Sequence, residues 1–261
     1  MLTARTTHVA RAALCALVWA WVAGASVGGQ NRDDLVPVGI RYQPAADPAA
    51  RQRDLENIRR FRFNVVVLPQ QTAQDTELTL VDRLLAGAPD TRFRMSAIEE
   101  LTIGPTESER SVTVKAWRSL AGGARGVIFG DWRALAQNSD ALAAATAFAD
   151  HITRNSGLYS ALRRGAPGTG LADPTVQGND PAITASFLES PSALLLIVTN
   201  QDPSKPHDVT LTFAPDTPEA IWQNMLTGAN VNFVAGPAGP TYSRTIEGEG
   251  VVVLMIGKRV R

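Results

Sequence analysis

Short aliphatic and β-branched runs alternate with stretches of helical period through residues 36–155, and this alternation constrains the fold most. VPVGIRY (36–42) reads as a buried strand. Asp47-Pro48 then opens a helix, with Asp as N-cap and Pro at the first helical position, and Leu55 and Ile58 form its apolar stripe. FNVVVLP (63–69) is a second strand, unbroken in apolar residues as strands buried on both faces are. The spacing predicts a helix over 76–88, a strand over 91–98, a helix over 111–123, a strand over 124–132 and a helix over 139–155 capped by Ser139. Such alternation predicts a parallel sheet with right-handed crossovers.

Past residue 163 the pattern changes. A stretch rich in Gly, Pro, Asp and Thr (163–181) reads as a boundary loop. Evenly spaced short apolar runs follow to the end of the chain, with turn clusters between them, which predicts an antiparallel β-sandwich. The expected organisation is a (β/α) domain over 30–165, a linker over 166–180 and a sandwich over 181–261.

Residues 1–29 have the layout of a secretory signal peptide: Arg5, His8 and Arg11, then the apolar run LCALVWAWVAGA, then small residues. That run is too short to span a bilayer, which takes about 20 residues. The expectation is an exported protein, periplasmic or extracellular, with no membrane span in the mature chain. Cleavage would remove Cys15, the only cysteine, and with it any disulfide or thiol chemistry. The 25 Lys and Arg balance the 25 Asp and Glu, which argues against a basic nucleic-acid binder. With no Cys beside them, His151 and His207 suggest no metal site, and no segment suggests a cofactor.

The run MSAIEELTIG…VKAWRSLAGGARGVIFGDWR (95–133) resembles the end of a glycosidase (β/α)8 barrel, as in the family 42 β-galactosidases and their relatives. In that family a strand ends in the nucleophilic glutamate, and a helix and Gly-rich turn lead to a last strand ending in Trp-Arg. IRYQP and FRFNVVVLP are similar to the first two strands, and LLLIVTNQ with EGVVVLMI resembles the small β-domain that follows such barrels. The resemblance implies an α/β plus all-β fold: a reduced (β/α), partial TIM-type barrel with a C-terminal antiparallel β-sandwich. It implies a carbohydrate-active protein of glycoside-hydrolase descent that hydrolyses or binds glycans, the alternative being a degenerate, non-catalytic glycan-binding or structural module. Glu99 or Glu100 falls at the nucleophile position, with Glu99 the first choice. Trp132 and Arg133 end the last strand, and Arg41, Tyr42, Gln70 and Gln71 fall near the same rim as substrate-binding candidates.

The chain departs from the family between Pro69 and residue 91. About 20 residues stand there, where a full barrel needs several more strand–helix units. The strand bearing the general acid is among those missing. Retaining hydrolysis requires two carboxyl groups about 5 Å apart, so Asp131 or Asp75 would have to be recruited. Four parallel strands cannot close a barrel, and two solutions are open for their edges. Either the sandwich folds over them or a homodimer completes an eight-stranded barrel. Trp117 and Trp222 are expected to be core residues.

Overall fold

The computed structural model describes residues 35–69, 76–88, 92–164, 172–215, 217 and 221–257. The expected signal peptide with Cys15, the candidates Gln70, Gln71 and Asp75, and most of the boundary segment lie outside the described residues. The architecture is α/β plus all-β: a reduced, open half-barrel followed by antiparallel sheets that form a sandwich.

The half-barrel is built from β1 (Val38–Arg41), α1 (Pro48–Arg60), β2 (Val65–Val67), β3 (Thr76–Leu80), α2 (Val81–Leu85), β4 (Arg92–Met95), β5 (Ile98–Leu101), α3 (Glu109–Ala121), β6 (Gly126–Asp131), α4 (Trp132–Gln137), α5 (Ser139–Arg154) and α6 (Ser156–Ala161). Its strands lie in the order β4-β3-β2-β1-β6-β5. β1 pairs in parallel with β2 and β6, and β5 in parallel with β6. Asp47 caps α1 as expected, accepting from the N–H groups of Ala49 and Ala50. At α5 the cap is Asn138 rather than Ser139, because the Asn138 carboxamide accepts the Ala141 N–H.

Two expectations fail here. The helix predicted over 76–88 is instead β3 followed by the short α2, and β3 runs antiparallel between β2 and β4. Thr-Glu-Leu-Thr-Leu also alternates at period two, and its β-branched threonines suit a strand. Pairing on both sides, which buries Leu78 and Thr79, decides the contest. The strand predicted over 91–98 is split, with Ala97 at φ 59° between β4 and β5. The sheet is therefore mixed rather than wholly parallel.

The split has a geometric consequence. β4 and β5 are the two edge strands of the sheet, yet only Ser96 and Ala97 separate them in the chain. At 3.8 Å per Cα step the edges must meet at one corner, so the sheet curls and stays open only along a seam. Inside the curl lie Val65, Val67, Leu78 and Ile128, each at most 2% exposed, while Val38, Ile40, Val66, Val127 and Phe129 face the helices. The curl is tight enough to need glycine on its inner face. A Cβ on Gly39 would stand 2.2 Å from the Val65 carbonyl oxygen, and one on Gly126 would stand 2.6 Å from that of Pro37.

The second part comprises β7 (Arg163–Arg164), β8 (Thr175–Val176), β9 (Ile183–Glu189), β10 (Ala193–Asn200), β11 (His207–Thr212), β12 (Trp222–Asn224), β13 (Asn230–Val231), β14 (Thr241–Ile246) and β15 (Val251–Gly257). One sheet runs β13-β12-β15-β10-β9-β7 and the other β14-β11-β8. All eight residues of β10 are buried because both faces are covered. Leu194, Leu196 and Val198 meet the facing sheet, whereas Leu195 and Ile197 join the core around α3. Helix α3 is thus packed between two sheets, which explains why it is apolar on several sides. Pairing of β7 with β9 carries residues 163–164 into the sandwich sheet. Trp117 and Trp222 are both buried in cores, as expected.

The entry to the sandwich is held by a charged clasp. His207 Nδ1 lies 2.5 Å from Asp180 Oδ2, and its Nε2 lies 3.2 Å from Asp202 Oδ2. Hydrogen bonding to Asp202, joined by Asp180, raises the His207 pKa over a smaller desolvation penalty. The Ser204 N–H and hydroxyl, together with His207, hold the Asp202 carboxyl far below its usual range. A histidine whose folded-state pKa is raised stabilises fully below its unfolded value of about 6.5, and that contribution fades as pH rises through the folded value. Melting temperatures of the native protein and His207→Gln should therefore converge between about pH 6.5 and the alkaline side of the folded value. A gap that stays constant with pH would refute the clasp.

Candidate functional site

The C-terminal ends of parallel strands are where α/β proteins build sites, and three charged residues meet there. Pairing sets which side chains share a face. Glu100 aligns with Ile128, and Ile128 with Gly39, so Glu100 belongs to the concave face. Its neighbour Glu99 aligns with Val127 and points to the other face, as alternation along a strand demands. At about 3.3 Å per residue, the Glu99 row lies roughly 10–13 Å below that of Asp131. On β6 the register slips between Gly39 and Arg41, at Gly130 with φ +35°. The slip brings Asp131 opposite Arg41. A Cβ on Gly130 would also crowd the Leu101 carbonyl at 3.3 Å.

Arg41 grips Glu100 with both prongs of its guanidinium: Nε donates to Oε1 at 2.8 Å and Nη2 to Oε2 at 2.5 Å. The two side chains are 34% and 42% exposed, so the pair is open to a ligand. The hydrogen bonds to Glu100 raise the Arg41 pKa against partial burial, and the charges of Glu100 and Asp131 add to this. Asp131 caps α4, accepting the N–H of Arg133 at 2.9 Å and that of Ala134 at 3.2 Å. The site thus presents one shared cation between two carboxylates. A carboxylate has about four lone-pair directions, so Glu100 keeps acceptor capacity beyond the Arg41 fork.

The remaining candidates are placed otherwise. Trp132 is 6% exposed and packs on Phe61 at 6.0 Å between ring centroids, so it is a core residue and offers no open face to a ligand. Tyr42 is 1% exposed, and burial raises its pKa. Arg133 is exposed beside Asp131. Sequence reasoning missed the supports of the loop that follows β5. The Asn138 carboxamide donates to the carbonyls of Gly104 and Glu107. Burial alone would raise the Glu107 pKa, but Lys115, the Gly104 N–H and Ser111 outweigh it and hold the carboxyl low. An Asn just before a helical run is a readable capping signal; its second role over the loop is not local in sequence. Among the described residues, no group of three or more His, Cys, Asp or Glu is arranged to hold a metal. No helix among them is long and apolar enough to cross a membrane.

No protein-family model and no curated protein matches the chain. Solved structures that are similar include a GH27 β-L-arabinopyranosidase from Geobacillus stearothermophilus, at 7% identity and a TM-score of 0.36 over 66% of this chain and 34% of that one. A maltogenic α-amylase from Thermotoga neapolitana shows 10% identity and a TM-score of 0.41 over 62% and 42%. A GH30 subfamily 8 xylanase from Clostridium acetobutylicum shows 8% identity and a TM-score of 0.38 over 87% and 57%. The chain therefore spans less than two thirds of each of these structures. The similarities are spread over several glycoside hydrolases rather than gathered in family 42. All three TM-scores are below 0.5, so the functional reading rests on this chain's own residues.

Proposed function

We propose that the chain is an exported glycan-binding protein of glycoside-hydrolase descent whose binding rim is formed by Arg41, Glu100 and Asp131. The observation that carries this reading is the two-pronged Arg41–Glu100 pair at the strand ends. A guanidinium donates to sugar hydroxyls and carboxylates accept from them, and a fixed fork holds both in place before a ligand arrives. Binding is favoured over hydrolysis because retaining hydrolysis needs a second working carboxyl about 5 Å from the nucleophile, whereas Oδ1 of Asp131 accepts the N–H groups of Arg133 and Ala134 as the cap of α4.

One observation favours a second reading. Asp131 acts electrostatically on the same arginine, so two carboxylates share the rim. Hydrolysis would then use Glu100 with Asp131 as the second group, since Glu99 faces the other side of the sheet.

A glycan array and a screen against nitrophenyl glycosides, run on the same preparation, separate the two readings. Binding without turnover is the expected result. Arg41→Ala should weaken glycan binding at least tenfold, since a charge-assisted hydrogen bond is worth about 1.5–3 kcal/mol. Unchanged glycan affinity in a folded Arg41→Ala protein would overturn the site. Turnover that disappears in Glu100→Gln would replace binding with catalysis.

A further inference from the structure

A groove of about 480 Å³, none of whose lining residues belongs to the rim, lies between the C-terminal end of α1 and one side of α5. Its volume is comparable to that of small-molecule sites, roughly 300–1,000 Å³, but it is a shallow depression open to solvent. Phe61, Leu142, Ala143 and Ala147 supply an apolar lining, and Arg60 and Arg62 bring positive charge. Among the described residues the Arg60 side chain has no hydrogen bond or ion pair. Arg62 meets Asp150 at 3.4 Å, but Asp150 is shared with Arg154 at 2.9 Å, so the cluster keeps an excess of positive charge. The Thr146 hydroxyl in the groove wall is buried without a partner.

The backbone singles out the same place. Helix α1 ends in a Schellman turn: the Phe63 N–H donates to the Ile58 carbonyl and the Arg62 N–H to that of Arg59. The residue after the C-cap adopts the left-handed conformation, here φ 68°, where glycine is the usual choice and a side chain is strained. An arginine at a position that favours glycine is a backbone outlier, and such outliers cluster at ligand sites.

We propose that this groove binds a small anionic amphiphile, with a carboxylate or phosphate head at Arg60 and Arg62 and a short aliphatic body over Phe61, Leu142, Ala143 and Ala147. A cationic head would meet the two arginines. A neutral sugar could accept hydrogen bonds from Arg60 but would leave its charge uncompensated.

Calorimetric titration of the full chain, below the micellar concentration of each probe, tests this with decanoate, monodecyl phosphate and decyl glucoside. The anionic probes should saturate one site and bind at least tenfold more tightly than the glucoside, and their ranking tells a carboxylate preference from a phosphate one. Arg60→Gln should lower that affinity at least fivefold with an unchanged melting temperature. Arg62→Gly should lower affinity while raising the melting temperature, because it relieves the strained backbone as it removes the charge. Equal binding of decyl glucoside, or full affinity in both arginine variants, overturns the proposal. Binding to anionic phospholipid vesicles without saturable binding of the monomeric probes also overturns it, in favour of a membrane surface.

Discussion

Gly39→Ala should destabilise the protein by about 3 kcal/mol or more, at the upper end of what overpacking a core costs. The added methyl would stand 2.2 Å from the carbonyl oxygen of Val65 and 2.5 Å from its Cγ2. The oxygen belongs to the backbone of β2, which is locked to β1 through the pairs Gly39–Val65, Ile40–Val66 and Arg41–Val67. Relief therefore requires breaking this ladder or flattening the curl. Because Arg41 ends the same strand, the variant should also loosen the Arg41–Glu100 pair. Gly157→Ala is the control: it lies in α6, where an added Cβ meets nothing within 4 Å. Exchanging a helical glycine for alanine there should be neutral or stabilising by up to about 1 kcal/mol. Urea denaturation of both variants decides the matter. A Gly39→Ala protein within about 0.5 kcal/mol of the native one would mean that the sheet is not curled as described.

Trp117→Ala should cost about 3–5 kcal/mol, the range for removing a large buried aromatic side chain. Trp117 is 2% exposed and meets Phe148 and His151 edge-on, each at 5.3 Å between centroids, with Tyr159 at 6.1 Å. Its helix has a sheet on either side, so the cavity left behind has little freedom to collapse. Core residues from both sheets surround α3, and the half-barrel and the sandwich should therefore lose stability together. One denaturation transition, the same by near- and far-ultraviolet circular dichroism, is expected for the native protein. Loss of the sandwich alone in the variant would show that the shared core does not couple the two parts. The substitution should also open His151 to water. Burial lowers the pKa of this imidazole, and its Nε2 lies 2.9 Å from the Tyr159 hydroxyl. Its titration, followed by NMR, should move up toward the ordinary histidine value of about 6.5 once the tryptophan is gone.

Much of the element pattern was legible because it is written in local chemistry. Asp47-Pro48 announces α1 through capping and a preset φ. The uninterrupted Val65-Val66-Val67 announces a strand covered on both faces. Residues 76–80 were not legible. Their leucines satisfy a helical and a strand pattern alike, and only hydrogen bonding to β2 and β4 selects the strand. The split at Ala97 was hidden for a related reason. Residues 91–98 read as one strand, but 92–95 pair with β3 while 98–101 form a separate strand on β6, at opposite edges of one sheet.

The sequence by itself determined that a charged rim would stand at the strand ends. Arg41 and Asp131 end their strands, and the adjacent Glu99 and Glu100 lie near the end of a third. It also determined that only one of Glu99 and Glu100 could face the concave side, since side chains alternate along a strand. Which one was left to the tertiary structure, through the pairing of Glu100 with Ile128 and the slip at Gly130 that carries Asp131 opposite Arg41. Tertiary structure also turned Trp132 inward. Asp131 caps a helix at that point, and the first residue of the helix swings into the core against Phe61 instead of standing open to a ligand. Asn200 makes the same point in the sandwich. Nothing near it in sequence announces that its buried carboxamide donates to the carbonyls of Lys205, Ile246 and Glu247. Capping, helical period and strand alternation act over a few residues and can be read along the chain. Register, bulges and buried polar partners join residues tens of positions apart, so they exist only once the sheets have formed.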